Sequence, residues 1–341
     1  MIQDTSKNLR YLVLPALFRA PETGWAYGLS GILSFKTSHK NDSLTRTSSV
    51  SALGIWTQRG QNIQALDATI YFPKEKYILY FSSSHSYFPD KFWGIGSETK
   101  NDWMEKYVYE QFNIYAHVKR KVIKRLFAGL ILDYQNVFKI KYDAGGNFDT
   151  SAFVGKSPYV SSGIGGSISY DTRNAAFWPT KGMFFQTQFT GYNKAFGSNY
   201  DFNKWTVDIR FFQKVFKQHV IAAQLYSYNT YGPCPLRNLA NIGGESNLRG
   251  FYRGRLRDNN LITLIGEYRA VVYNRIALVA FGGIGNVYGQ FSDLQKYQLK
   301  YSYGAGIRLS MLENDRMNIR IDYGFYDKYN SGFYFTIGEC F

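Results

Sequence analysis

The chain has 341 residues, of which 45% are hydrophobic, 18% are aromatic and only 19% are charged, and its 40 Lys+Arg against 25 Asp+Glu give a formal net charge of +15. This composition argues against intrinsic disorder, which needs few aromatic residues and much charge, and against a coiled coil. No run of about 18 consecutive apolar residues is present, which excludes a transmembrane helix. The 32 Gly, 29 Tyr and 27 Phe beside only 8 Pro are instead typical of a transmembrane β-barrel.

Apolar and polar residues alternate with a period of two in many segments. In residues 316–325, for example, Met317 and Ile319 alternate with Asn318 and Arg320. Successive side chains of a strand point to opposite faces, so this pattern predicts strands with one apolar and one polar face. In chain order, the clearest such segments are 24–35, 66–72, 205–211 and 316–325.

The polar faces carry charges that distinguish a membrane barrel from a soluble β-sandwich, which also alternates. Asp208 and Arg210 share the face of one predicted strand, and Arg320 and Asp322 share the face of another. Charges are costly to bury in a dry core, whereas the hydrated lumen of a barrel accepts them. The pattern therefore favours an all-β transmembrane barrel.

Short and long turns alternate along the chain, as periplasmic turns and extracellular loops do in outer-membrane barrels. Seven short and eight long turns separate sixteen predicted strands. We therefore predict one domain over residues 1–341, a sixteen-stranded antiparallel β-barrel in the bacterial outer membrane with both termini in the periplasm. The short turns are predicted near 40–42, 73–75, 119–124, 174–182, 214–218, 274–275 and 313–315, and the long ones near 21–24, 59–62, 89–103, 139–158, 193–200, 229–260, 289–300 and 327–331.

The longest connection, residues 229–260, is too long for an unstructured loop in a compact domain, and such loops are usually functional. It is rich in glycine and arginine, which favours a loop that folds into the barrel lumen. Gly243, Gly244 and Gly250 are interpreted as backbone requirements of a tight inward loop. The alternative is a flexible surface loop.

Gly243 and Gly244 precede the run Leu248-Arg249-Gly250-Phe251. This arrangement resembles the sixth extracellular loop of the bacterial surface antigen superfamily, which includes the sixteen-stranded barrels of the BAM insertase, the TAM assembly factor and two-partner secretion transporters. Further stretches that are similar to this family extend over nearly the whole chain, at 15–28, 170–182, 265–269, 303–308 and 332–341.

The resemblance implies assembly or translocation of proteins at the outer membrane, without enzymatic chemistry, a cofactor or a metal. It also implies that Arg249 pairs with a carboxylate, which would hold the loop in the lumen. Where the family usually has an aspartate on its thirteenth strand, this chain has Gly283. Glu267, on the twelfth predicted strand, is therefore the predicted partner of Arg249; the alternative is a solvated loop arginine.

The resemblance also implies partners. Family members usually carry periplasmic POTRA domains, but only about ten residues precede the first predicted strand, so the chain resembles POTRA-less members from Bacteroidetes-like bacteria. A separate periplasmic or lipoprotein subunit is then expected to capture substrates, and the barrel is expected to contact outer-membrane lipids and lipopolysaccharide. The alternative function is a pore-forming or structural scaffold barrel without insertase activity.

The end of the chain resembles the family's closing strand. Two interpretations are compatible: a lipid-facing strand, and a strand that carries the recognition signal for the cell's insertase and forms a lateral seam with the first strand. A weakly paired seam would leave edge groups that can template an incoming strand. The residues predicted for this role are Gly332, Phe333, Phe335, Ile337, Gly338 and Phe341.

No other constellation indicates enzyme chemistry. None of the four histidines has the spacing of a zinc site or a catalytic triad, although His117 and His219 lie on predicted strands, where a phospholipase-like Ser/His pair would be found. Nucleic-acid binding is not predicted, because the positive charge more simply suits a basic lumen and anionic headgroups.

Overall fold

The computed structural model describes residues 9–38, 45–295, 298–311, 317–327 and 330–341. Sixteen strands form one antiparallel sheet in chain order, and two short strands form a separate ribbon. The strands are β1 (Leu9–Ala20), β2 (Gly24–Phe35), β3 (Ser48–Thr57), β4 (Asn62–Tyr71), β5 (Tyr77–Phe92), β6 (Glu105–Ile123), β7 (Leu126–Lys141), β8 (Tyr159–Asp171), β9 (Gly182–Tyr192), β10 (Phe202–Phe216), β11 (His219–Tyr231), β12 (Ala240–Ile242), β13 (Leu256–Asp258), β14 (Asn260–Tyr273), β15 (Ile276–Tyr288), β16 (Lys300–Ser310), β17 (Asn318–Phe325) and β18 (Ser331–Ile337).

Helical structure is minor. Among the described residues, one α-helix, α1 (Asn147–Thr150), and five 3-10 segments occur in connections between strands. In the described part of the chain, no helix combines the length and apolarity needed to cross a membrane. The 3-10 segments are Pro73–Glu75, Asn101–Trp103, Lys194–Phe196, Leu236–Asn238 and Phe291–Gln295.

The predicted all-β, antiparallel fold is confirmed. Along the strands, exposed apolar side chains alternate with buried polar ones, as the sequence pattern predicted. On β10, Trp205 and Phe211 are exposed whereas Thr206 and Asp208 are buried. The polar side chains thus lie on the inner face of the sheet and large apolar ones on its outer face. This is the reverse of a water-soluble protein and suits an outer face in lipid.

Several strands extend further than the turn signals predicted. The turn expected at 119–124 is reduced to two residues, because β6 continues to Ile123. The long loop expected to begin at residue 89 begins after Phe92, because β5 pairs with β6 as far as Phe92 opposite Glu105. The turns predicted at 40–42 and 313–315 lie outside the described residues, as does residue 316 of the last alternating segment.

The two ends of the sheet, β1 and β18, lie against each other. Among the strand pairings of the described residues, no backbone ladder joins them. β1 has twelve residues and β18 has only seven, so the neighbouring edges are unequal in length.

The segment between β11 and β14 packs on the inner face of the sheet. Its β12–β13 ribbon is paired from Ala240 opposite Asp258 to Ile242 opposite Leu256. Ile242, Leu248 and Leu256 belong to a buried apolar cluster that also contains wall residues of β10, β11, β14 and β15. This cluster ties the segment to the sheet through apolar burial as well as through charge.

A charged side chain on the outer face should lower the free energy of unfolding strongly in the middle of a strand and only slightly near its end. Leu132 on β7 is 56% exposed and Tyr273 at the end of β14 is 69% exposed. We expect Leu132→Arg to lower the free energy of unfolding in lipid vesicles by about 2–4 kcal/mol and Tyr273→Arg by at most about 1 kcal/mol. Denaturant titration followed by tryptophan fluorescence measures both losses; equal losses would contradict a lipid-facing outer face.

Candidate functional site: the inward segment around Arg249

The tip of the inward segment needs glycine for steric reasons. Gly243 and Gly250 have φ values of +108° and +116°, in the left-handed region that side chains disfavour. A Cβ atom at Gly250 would also lie 2.8 Å from the backbone carbonyl carbon of Phe325, and one at Gly243 would lie 2.2 Å from the carbonyl oxygen of Tyr252. Gly244, at φ +88°, completes the turn.

Arg249 lies at this tip with its guanidinium buried between two carboxylates. One terminal nitrogen donates to Oε1 of Glu267 on β14 at 2.5 Å, and the other donates to Oδ2 of Asp322 on β17 at 2.6 Å. The three side chains are 1% exposed or less. The guanidinium carbon also lies 3.5 Å from the ring centre of Phe281 on β15, a cation–π contact. Arg249 therefore links the segment to three strands of the sheet.

Both carboxylates are shared with wall arginines. The second oxygen of Glu267 accepts from Arg269 at 2.8 Å, and the second oxygen of Asp322 accepts from Arg308 at 2.6 Å. A buried charge needs such partners, because an isolated ion in a dry interior costs several kcal/mol. The two anions thus hold three guanidinium groups, and the loop cation is part of a preassembled wall network.

Glu267 is the partner that the sequence predicted, whereas Asp322 is a partner that the sequence reasoning missed. The position where the family aspartate was expected, Gly283, faces Leu248: a Cβ there would come within 2.8 Å of Leu248 Cδ2. Leu248 occupies that space, and the second carboxylate comes from two strands further along the sheet. The available signal was the alternation in 316–325, which puts Asp322 on the polar face.

Phe251 and the backbone of the tip are held by β18. The Gly250 amide donates to the Tyr334 hydroxyl at 3.0 Å, and that hydroxyl donates to the Phe251 carbonyl at 3.1 Å. The Phe251 ring stacks on Tyr326 with ring centres 3.8 Å apart. Tyr334, which alternates with the apolar residues noted for this strand, was not singled out from the sequence.

The structure corrects the predicted extent of the closing strand. β18 contains Gly332, Phe333, Phe335 and Ile337 but ends there, whereas the strand was expected to continue to residue 341. Gly338 has a φ of +94°, which turns the chain away from the sheet edge. Phe333 and Ile337 are each 37% exposed on the outer face.

Beyond this turn, the chain packs under the inward segment. Phe341 is 5% exposed within the same apolar cluster as Leu248, and its carbonyl oxygen accepts from Arg269 at 3.3 Å. Glu339 accepts from Arg308 at 2.8 Å. Phe341 therefore does not share the lipid-facing side of β18, because its backbone lies inside and its ring fills the space beside Phe212.

Asp90 forms a second anchor for the inward segment, closer to its base. Its carboxylate accepts from the hydroxyls of Tyr107 and Tyr252, each at 2.9 Å, and from Arg237 and Arg257, each at 3.3 Å. Three of these donors belong to the segment, whereas Asp90 and Tyr107 belong to β5 and β6. The segment is thus fixed to two separate groups of strands: β5 and β6 through Asp90, and β14, β15 and β17 through Arg249.

Glu22, in the turn between β1 and β2, contacts the segment from the edge of the sheet. One oxygen accepts the backbone N–H of Arg253. The residue is only 7% exposed, and burial raises the pKa of its carboxyl group to about 7 even though the Arg253 amide and guanidinium oppose the shift. The turn that follows the first strand therefore contributes a titratable contact.

Neither His117 nor His219 belongs to a catalytic triad. Nε2 of His117 lies 2.7 Å from Oγ of Ser167 on the inner face, and the groups nearest its Nδ1 are Gln188 and Tyr115 rather than a carboxylate. His219 contacts the Tyr268 hydroxyl at 2.6 Å. Among the described residues, no cluster of His, Cys, Asp and Glu could hold a metal ion.

The antiparallel sheet has an apolar outer face and a charged inner face on which the long connection packs, the arrangement typical of transmembrane β-barrels. Residues 51–341 match the family model described as the Omp85 superfamily domain. This match covers most of the chain, so the chain belongs to the Omp85 superfamily, and the resemblance drawn from the loop motif is confirmed. No curated protein sequence matches the chain.

Solved structures agree on the fold. BamA from Haemophilus ducreyi lacking POTRA domains 1–3 is 12% identical with a TM-score of 0.61, over 97% of this chain and 70% of that one. CdiB from Acinetobacter baumannii is 13% identical with a TM-score of 0.60, over 97% and 60% of the two chains. CdiB from Escherichia coli is 14% identical with a TM-score of 0.60, over 96% and 61%. The chain thus spans about three fifths of the CdiB chains that it matches.

Removing the Arg249 guanidinium should loosen the inward segment without unfolding the sheet. Arg249→Ala leaves Glu267 and Asp322 buried with one cation fewer, and breaking a buried pair in this way costs about 3–5 kcal/mol. We expect a folded, heat-modifiable protein with faster hydrogen–deuterium exchange over residues 240–258. Arg253→Ala, which removes an exposed arginine of the same segment, is the matched control. Unchanged exchange in Arg249→Ala would contradict the anchoring role.

The burial of Glu22 against the inward segment should become less favourable as the pH rises, because a charged carboxylate costs more to bury than the neutral acid. Its folded pKa of about 7 lies above the ordinary value of 4.5, so its contribution is fully present below pH 4.5 and is lost as the pH rises through about 7. We expect exchange protection around Arg253, corrected for intrinsic rates, to fall between pH 5 and 8 in the wild type and to stay nearly level in Glu22→Gln. The same fall in both proteins would rule out Glu22 as the titrating group.

Proposed function

We propose that this chain closes into a sixteen-stranded barrel in the outer membrane, with both termini in the periplasm, and acts in the assembly or translocation of proteins there. Substrate strands would pair at a lateral seam between β1 and β18. A periplasmic or lipoprotein subunit would deliver substrates, and membrane lipids and lipopolysaccharide would surround the outer face. The activity breaks no covalent bond, so the chain is not proposed to be an enzyme.

The observation that supports this proposal most directly is the unequal seam. β1 and β18 are in contact, but no ladder between them is found in the described pairings. Because β18 ends at Ile337 and Gly338 turns the chain away from the sheet edge, the seven residues of β18 are too few to pair with all twelve of β1. Unpaired N–H and C=O groups on a strand edge are a template for an added strand.

The inward segment supports a stable barrel rather than an open pore. Arg249 and Asp90 fix the segment to opposite parts of the wall, so it would obstruct the lumen while the seam stays available. The contacts of Gly250 and Phe251 with Tyr334 on β18, and of Arg253 with Glu22 beside β1, connect the segment to both sides of the seam. We infer that the segment sets the spacing of the two edge strands.

Site-specific photocrosslinking in cells tests the seam. A photoreactive residue at Tyr11 on β1 or at Phe333 on β18, both exposed, should form adducts with outer-membrane proteins during their biogenesis. The same residue at Leu130 on β7, which is 73% exposed but distant from the seam, is the control. Equal adducts at all three positions, or adducts with lipid alone, would contradict a seam that receives protein strands.

Conductance separates this function from the alternative of a pore or scaffold. In planar bilayers we expect the wild-type protein to conduct poorly, because the anchored segment fills the lumen, and deletion of residues 238–257 to raise the conductance. A large, steady wild-type conductance would favour the pore. Pull-down of the tagged protein from native membranes tests for the expected partner. Recovery of a near-stoichiometric periplasmic or lipoprotein subunit supports a role in assembly, and recovery of the chain alone supports a scaffold.

A further inference from the structure

A second polar site lies on the inner face at the end of the sheet that carries the short turns, away from the start of the inward segment. It is a cavity of about 340 Å³ lined by β3 to β6, β9, β10 and the connection between β8 and β9. Its wall contains three cationic side chains, aromatic rings and several hydroxyl and amide groups, and no Asp or Glu is among its lining residues. The lining residues include Tyr80, Tyr115, Lys119, Arg173, Phe184 and Arg210.

The nearby carboxylates are already engaged by arginines. Asp171 accepts from Arg173 at 3.0 and 2.9 Å and from Arg46 at 2.7 Å. Asp208 accepts from both Nε and Nη2 of Arg210, at 3.0 and 2.6 Å. Each arginine thus has an anion behind it and presents its remaining surface to the cavity.

Lys119 differs from these arginines. It is only 3% exposed, and within the described part of the chain no carboxylate lies within ion-pair distance of its ammonium group. Its Nζ donates to Gln186 Oε1 and lies 4.8 Å from the ring centre of Tyr80 and 5.5 Å from that of Phe184. A buried ammonium without an anion is unfavourable, and here it borders a space large enough for one.

The cations converge on one wall of the cavity. Arg173 and Arg210 place their guanidinium carbons 4.5 and 5.3 Å from the ring centre of Phe184, the same ring that Lys119 contacts. Three cations around one ring suit an anion with three acceptor oxygens. The volume is at the lower end of the range for small-molecule sites, which limits the organic part of a ligand to a few carbon atoms.

We infer that this cavity binds a small phosphomonoester, of the size of glycerol phosphate. Its three terminal oxygens match the ammonium group of Lys119 and the guanidinium groups of Arg173 and Arg210, which form strong charge-assisted hydrogen bonds with phosphate. The rings of Tyr80 and Phe184 pack on the short organic group. The site faces inward rather than toward lipid, so the ligand comes from solution.

Calorimetric titration of the detergent-solubilised full chain with glycerol 3-phosphate tests the site. The wild type should bind it, and Lys119→Gln should lose about tenfold in affinity or more, as expected when a charge-assisted hydrogen bond is removed. Lys139→Gln is the matched control, because Lys139 pairs with Glu110 outside the cavity, and it should bind as the wild type does. Undiminished binding to Lys119→Gln, or no binding to the wild type, overturns the inference.

Two further ligands test which chemical class the cavity binds and whether the bound phosphate comes from solution or from a lipid. Glycerate, which offers a carboxylate in place of the phosphate, should bind at least tenfold more weakly; equal binding overturns the assignment to phosphomonoesters. Short-chain phosphatidic acid should not outcompete glycerol 3-phosphate. If phosphatidic acid alone binds, the source of the phosphate is a lipid headgroup, and the assignment to a small soluble phosphomonoester is overturned.

A stability measurement keeps the test valid if a variant folds differently. Lys119→Gln removes an ammonium group that has no carboxylate partner, so without ligand it should melt no lower than the wild type. Glycerol 3-phosphate should then raise the melting temperature of the wild type and of Lys139→Gln but not that of Lys119→Gln. A Lys119→Gln protein that melts well below the wild type in the absence of ligand would mark Lys119 as a structural residue and overturn the inference.

Discussion

The burial of the Arg249 guanidinium between Glu267 and Asp322 is the constraint on which the interior depends. A single cation at the tip of a long connection satisfies carboxylates from two strands that are not neighbours in the sheet. Without it, both carboxylates would keep a wall arginine but lose one charged hydrogen-bond donor, a loss that costs about 3–5 kcal/mol. Leu248 and Phe251, which lie on either side of Arg249 in the chain, pack in the same buried apolar cluster as Phe341 after β18.

The interior is organised by paired charges rather than by apolar contacts alone. The Asp90 anchor, the Arg249 network and the phosphate-sized cavity beside Lys119 lie at different levels of the inner face. In the first two, a carboxylate of the wall meets a cation of the inward segment; in the third, Lys119 has no carboxylate within ion-pair distance among the described residues. A sheet with an apolar exterior leaves only its inner face for polar chemistry, so its charged residues are concentrated there.

Much of the fold was predictable because period-two alternation is local. Asp208, Arg210, Arg320 and Asp322 could be placed on the polar face from their own neighbours in the sequence, and the glycines around Arg249 indicated a tight turn. The prediction of Glu267 as a partner rested on the resemblance to known barrels. Asp322 was missed as a partner of Arg249 because alternation shows which face of a strand a residue lies on, but not which residues of distant strands lie at the same level. The turn at Gly338 was missed because the alternation of apolar residues was interpreted as continuing to Phe341.

The sequence by itself determined that the chain forms strands with one apolar and one charged face, and that one long connection has the glycines to turn sharply. The tertiary structure alone decided which charges meet. Arg249 and Asp322 are 73 residues apart, and their contact depends on the register of every strand between β14 and β17. The registers of β6 to β10 likewise give Arg173 and Arg210 a carboxylate each and leave Lys119 with none among the described residues. Such pairings depend on the register of many strand pairs at once. The spacing of residues along one strand does not reveal that register.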